Sequence, residues 1–150
     1  MHYPKKRYNH TLAFLQKVLP APANILDLGT PNAFGKIMKQ AGYTVYNTQG
    51  EDLDTQPGIV KNFEVDAVTA FEIFEHLIAP FNVLRAIEAD KLITTIPLRL
   101  WFATAYRSKT DEWDWHIKAT EKWTSPVNKI GFRPILRKYT PRYYAIYAER

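Results

Sequence analysis

Short apolar runs alternate with amphipathic stretches through the first two thirds of the chain. "NILDLG" (24–29), "YTVYN" (43–47), "VDAVTAF" (65–71) and "KLITTI" (91–96) have the length and β-branched content of buried strands. "FGKIMKQAGY" reads as a helix closed by Gly42, and a further helix starts at Pro80 and carries Phe81, Leu84, Ile87 and Ala89. Buried strands separated by helices cannot pair through tight turns, so the pattern dictates an α/β fold with a parallel sheet. Ahead of it, "NHTLAFLQKVL" (9–19) places Leu12, Leu15, Val18 and Leu19 on one helical face. The rhythm then changes. Ser125 and Pro126 open a helix that Gly131 ends, and "FRPILRKY" and "RYYAIYAE" are two strands joined by a turn at Thr140 and Pro141, a link short enough only for an antiparallel hairpin.

A length of 150 residues, 46% of them hydrophobic and 23% charged, suits a single domain with a sizeable core. That domain is expected to span 1–150, with an N-terminal helix and linker over 1–23 and the core over 24–150. The absence of cysteine excludes disulfides, thiolate nucleophiles and cysteine-ligated zinc, and it suits a cytoplasmic location. No apolar run approaches the roughly 20 residues of a bilayer span, so no membrane span is expected. The formal charge of +5 is unevenly spread: nine acids lie between Glu51 and Asp90 against Lys61 and Arg85. A basic periphery around an acidic centre either draws in an anionic partner or simply solvates the surface.

The stretch "FEIFEHL" (71–77) places Glu72, Glu75 and His76 directly after the apolar strand "VDAVTAF". If the chain turns helical after Phe71, Glu72 and Glu75 share a face and His76 stands four residues from Glu72. Three groups able to ligate a metal ion or move a proton then converge.

A parallel sheet finishing in an antiparallel hairpin, with "ILDLG" after the first strand and "FEIFEHL" after a central one, resembles the class I S-adenosylmethionine-dependent methyltransferases. The likeness is to the type 11, ubiquinone-biosynthesis O-methyltransferase branch, and it covers about residues 24–149. It implies a Rossmann-like fold that binds S-adenosyl-L-methionine in the crevice beyond the strands' carboxyl ends. Gly29 and Thr30 would then meet the methionine end of the cofactor, Asp27 would anchor the loop or reach the amino group, and Phe71 and Glu72 would face them across the crevice. The chain departs from that family in "GTPNAFG", where Pro31 and Ala33 stand near the places of two further glycines, so the glycine loop is degenerate. The acid that would bind the ribose is also replaced by Gln49, with Glu51 as a substitute, and Asp52 in "GEDL" is the candidate adenine contact.

"TQGEDLDTQPGIVKNFE" (48–64) is too short and polar for the helix and third strand found in the family, which implies a reduced sheet. The second strand would then be covered by the N-terminal helix or paired with another subunit, making a homo-oligomer. A related branch, the small-RNA 2′-O-methyltransferases, resembles this chain in having two Glu and a His in such a motif plus a later His. That likeness implies a divalent ion (Mg, Mn or Zn) held by Glu72, Glu75, His76 and His116. Alternatively Glu72 lines the cofactor pocket, Glu75 caps or pairs, and His76 or His116 is a general base.

The expected function is methyl transfer to an oxygen or nitrogen of an acceptor, with a small molecule favoured over nucleic acid. The competing reading is a catalytically degenerate methyltransferase fold acting as a binding module. Trp101, Trp113, Trp115 and Trp123 lie in the segment expected to cover an acceptor or pack as a lid.

Overall fold

The computed structural model describes residues 5–97, 133–139 and 143–149. His116, the four tryptophans and the helix expected after Ser125 lie outside the described residues. In chain order the elements are α1 (Lys5–Val18), β1 (Asn24–Asp27), α2 (Ala33–Gln40), β2 (Thr44–Asn47), β3 (Ala67–Phe71), α3 (Pro80–Ala86), β4 (Lys91–Pro97), β5 (Arg133–Tyr139) and β6 (Tyr143–Glu149). They form one sheet of order β2-β1-β3-β4-β6-β5. The first four strands are parallel, β6 pairs antiparallel to β4, and β5 closes the edge as a hairpin partner of β6. The α/β architecture with a reduced parallel sheet and a closing antiparallel hairpin therefore agrees with the sequence reading.

Strand alternation sorts the buried residues onto two faces. Leu26, Val68, Ala70 and Leu92 face one way and pack with Val83, Leu84 and Ile87 around α3. Ile25, Val45, Ala67 and Ile93 face the other way and pack under Phe14 and Leu15 of α1 and Phe34 and Met38 of α2. Helices thus cover both faces of the parallel part, which explains why those strands read as near-continuous apolar runs. A fully buried Leu or Ile here contributes roughly 1.5–3 kcal/mol of burial free energy.

Three boundaries differ from the sequence reading. Helix α1 begins at Lys5 rather than near residue 9, which brings a basic turn over the sheet. Helix α3 ends at Ala86, yet Ile87 is fully buried just beyond it. No regular helix follows Phe71: Glu72 takes φ +57 and a 3₁₀ turn spans Phe74–His76. The 48–66 connection holds a 3₁₀ helix, Pro57–Asn62, and no strand, so β2 is an edge strand among the described residues. Helix α1 lies across a face of the sheet with α2, while Tyr46 of β2 is 44% exposed, with the Phe63 ring tilted 6.1 Å from it.

Candidate functional site

Strand register builds the centre of the site. Asp27, the last residue of β1, is opposite Asn47 of β2 and Thr69 of β3, and parallel pairing points all three side chains to the α1–α2 face. The Asp27 carboxylate is 1% exposed. It accepts hydrogen bonds from Thr69 Oγ1 (2.7 Å), Asn32 Nδ2 (3.3 Å) and Asn47 Nδ2 (3.4 Å). Burial raises its pKa to about 6, against the opposing pull of those three donors. Asp27 thereby ties the loop that follows it to β2 and β3.

That loop is held by side chains from the neighbouring strand end. The Gly29 amide donates to Thr48 Oγ1 (2.8 Å), and the Gly29 carbonyl accepts from Asn47 Nδ2 (3.3 Å). Gly29 has φ +104, a conformation open to glycine at little cost, and a Cβ there would stand 3.4 Å from Ile73 Cδ1. Asn32 then caps α2: its backbone is extended and its Oδ1 accepts from the Gly35 amide (2.9 Å). The same side chain donates to Asp27 and to the Thr30 carbonyl (3.4 Å). Sequence reasoning missed Asn32, although Asn directly before "AFGKI" is a helix-start signal.

A crevice of about 370 Å³ opens at the carboxyl ends of β1 and β3. Asp27, Gly29, Thr30 and Phe71 line it, and Ile73 adds to its apolar wall. Its other side is α1, which contributes Arg7, Tyr8 and Thr11. An aromatic run secures that side: the Tyr8 and Phe34 rings stack at 5.2 Å, and Phe34 meets Phe71 edge-on at 5.1 Å.

Gln49, Glu51 and Asp52 stand apart from this lining, in the loop after β2. Glu51 accepts from the Gln49 amide (2.6 Å), Gln49 Nε2 donates to the Asn47 carbonyl (3.1 Å), and Asp52 Oδ1 accepts from the Asp54 amide (2.9 Å). The three shape the loop by local hydrogen bonds. Asp54 ties it to the next layer, accepting from the Ile78 and Ala79 amides at 3.0 and 2.8 Å where α3 begins.

Beyond Phe71 the chain separates the groups that a helix would have gathered. The Glu72 amide continues the ladder to the Thr95 carbonyl (3.0 Å), and its side chain reaches α1, where Arg7 Nη1 lies 2.6 Å from Glu72 Oε1. Phe74 is 1% exposed and plugs the α3-side core, which turns the chain downward. The Glu75 side chain is 21% exposed, and burial raises its pKa to about 7, with the Glu72 charge adding to the rise and Arg7 opposing it. His76 Nε2 stands 3.8 Å from Glu75 Oε1 on a side chain that is 74% exposed. Glu72, Glu75 and His76 are therefore not assembled as a ligand set. Among the described residues no three His, Asp or Glu side chains come together to hold a metal ion. A helical face would have aligned them, and the left-handed residue at Glu72 prevents it.

No protein-family model matches the sequence, and no curated protein sequence matches it. Solved structures do match in fold. A S-adenosylmethionine-dependent methyltransferase from Aquifex aeolicus superposes with a TM-score of 0.65 at 15% identity, over 97% of this chain and 93% of that one. The class I methyltransferase fold is present. The PH0226 protein from Pyrococcus horikoshii OT3 gives 0.64 at 15% identity, over 99% of this chain and 92% of that one. The 16S rRNA methyltransferase RmtF, solved in complex with S-adenosyl-L-homocysteine, gives 0.60 at 15% identity, over 95% of this chain and 61% of that one. Among the described residues of this methyltransferase-fold chain, no helix is long and apolar enough to cross a membrane.

Proposed function

We propose that the chain binds S-adenosyl-L-methionine in the crevice and transfers its methyl group to an oxygen or nitrogen of an acceptor. The observation that carries this reading is the crevice at the carboxyl ends of adjacent parallel strands, floored by Gly29 with no side chain between backbone and cavity. In open α/β sheets that is where ligands bind. Its volume, about 370 Å³, falls within the roughly 300–1,000 Å³ of small-molecule sites. The motif "FEIFEHL" supports kinship to the type 11 branch.

The cofactor, when bound, supplies a methyl group already activated on a sulfonium sulfur. The chain's own part is to hold, orient and keep dry. Gly29 and Thr30 present backbone to the amino-acid end, while Phe71 and Ile73 exclude water beside it. The ribose and adenine would extend out of the crevice towards the β2 loop, whose shape Gln49, Glu51 and Asp52 set by their local hydrogen bonds. Glu75, whose proton is held up to about 7, and the neighbouring His76 are the groups suited to take a proton from an acceptor. The described residues do not fit a divalent metal ion, because Glu72 is committed to Arg7.

Calorimetric titration and thermal melting with S-adenosylhomocysteine test the proposal. We expect saturable binding and, at a hundredfold excess over Kd, about 2.7 kcal/mol of stabilisation. Gly29→Val should remove both effects, since it places a β-branched residue at φ +104 against Ile73. Absence of binding at millimolar concentration would leave a methyltransferase fold that works as a binding module.

A further inference from the structure

We infer that Arg7 is the anchor for the carboxylate of the cofactor's amino-acid end, and that it makes the crevice select carboxylate-bearing ligands. This rests on the proposed function above. Arg7 is the one cation among the described residues lining the crevice. The loop opposite is poor in the usual alternative: Pro31, directly after Thr30, has no amide hydrogen to offer an anion. A guanidinium matches a carboxylate with two parallel donors, so it replaces what that backbone lacks. The side chain is already steered to the crevice. Helix α1 starts early enough to bring Arg7 over the sheet, the Tyr8–Phe34 stack fixes the turn that bears it, and Arg7 Nη1 already holds a carboxylate oxygen, Glu72 Oε1, at 2.6 Å. Arg7 retains 38% of its side-chain exposure and Glu72 26%, so water and an incoming anion can both reach the pair. An entering carboxylate shares or takes over the guanidinium from Glu72.

The test compares S-adenosylhomocysteine with its decarboxylated analogue, which keeps the adenosine, sulfur and amine. The wild-type chain should bind the first about tenfold more tightly, the scale of one charge-assisted contact. Arg7→Gln should erase that preference by weakening only S-adenosylhomocysteine, and Arg7→Lys should restore part of it. Thermal melting without ligand checks that each variant is folded, and the wild-type preference alone supplies a readout that needs no variant. If wild type binds both ligands equally, or Arg7→Gln weakens both alike or neither, the role of Arg7 is refuted while the cofactor site stands. If wild type binds neither, the proposed function fails and this inference falls with it.

Discussion

Replacing Asp27 by asparagine should change how stability responds to pH, and the structure gives both sign and scale. Burial moves the carboxyl from its ordinary 3.8 to about 6 in the folded chain. Between those values the unfolded chain has lost the proton and the folded chain keeps it, so the contribution of Asp27 to stability falls as pH rises. The full difference is roughly 3 kcal/mol once the pH is above both values. The Asp27→Asn side chain escapes that cost but has only one acceptor oxygen. It keeps the bond from Thr69 and turns an amide towards the donors of Asn32 and Asn47, losing about 1 kcal/mol for each. The variant should therefore be about 2 kcal/mol less stable than wild type at pH 4 and about 1 kcal/mol more stable than wild type at pH 8. Urea denaturation of both proteins across that range reads the difference directly, with effects common to both cancelling. A difference that is flat with pH, or that moves against the variant as pH rises, would show that the three donors outweigh burial.

Two further outcomes follow from the loops beyond β2 and β3. Glu75 also has its folded pKa raised, from 4.5 to about 7, so its contribution to stability is lost as pH rises between those values. Glu75→Gln should raise Tm relative to wild type at pH 8 and leave it unchanged at pH 4, as differential scanning calorimetry at the two pH values would show. Asp54→Ala removes the acceptor for the Ile78 and Ala79 amides and should cost about 1 kcal/mol, a fall in Tm of roughly 2–4 °C. Hydrogen exchange at those two amides should accelerate before exchange elsewhere in the chain.

The sheet, its parallel pairing and the closing hairpin were legible because each depends on local pattern: apolar runs of strand length, helices between them, and a turn too short for a crossover. Asp27, Gly29, Thr30 and Phe71 were legible as crevice residues because they stand at strand ends, where α/β sheets place ligands. What stayed hidden depends on tertiary register. Asn47 and Thr69 become partners of Asp27 only when β2 and β3 flank β1 at matching heights. Arg7 and Glu72 meet across 65 positions of sequence, through a helix whose early start left no apolar trace. The left-handed turn at Glu72 contradicts its local propensity. It arises because the ladder bond to Thr95 extends the strand by one residue while Phe74 must reach the core under α3. The spacing of Glu72, Glu75 and His76, natural for a helix, thereby lost its meaning.

The strand order also has a consequence for how the chain is made. Strands β1 to β4 and their helices are complete by Pro97, and each finds its parallel neighbours among residues already synthesised. Strand β4 is different, because its second neighbour is β6, which ends at Glu149, 52 residues later (149 minus 97). At translation speeds of about 5–20 residues per second, the newborn chain waits roughly 3–10 s with a seven-residue strand open along one side. An open edge pairs with whatever extended chain it meets. The order in which the hairpin docks, β6 against β4 with β5 carried outside it, makes the hairpin the element that covers the open edge of β4.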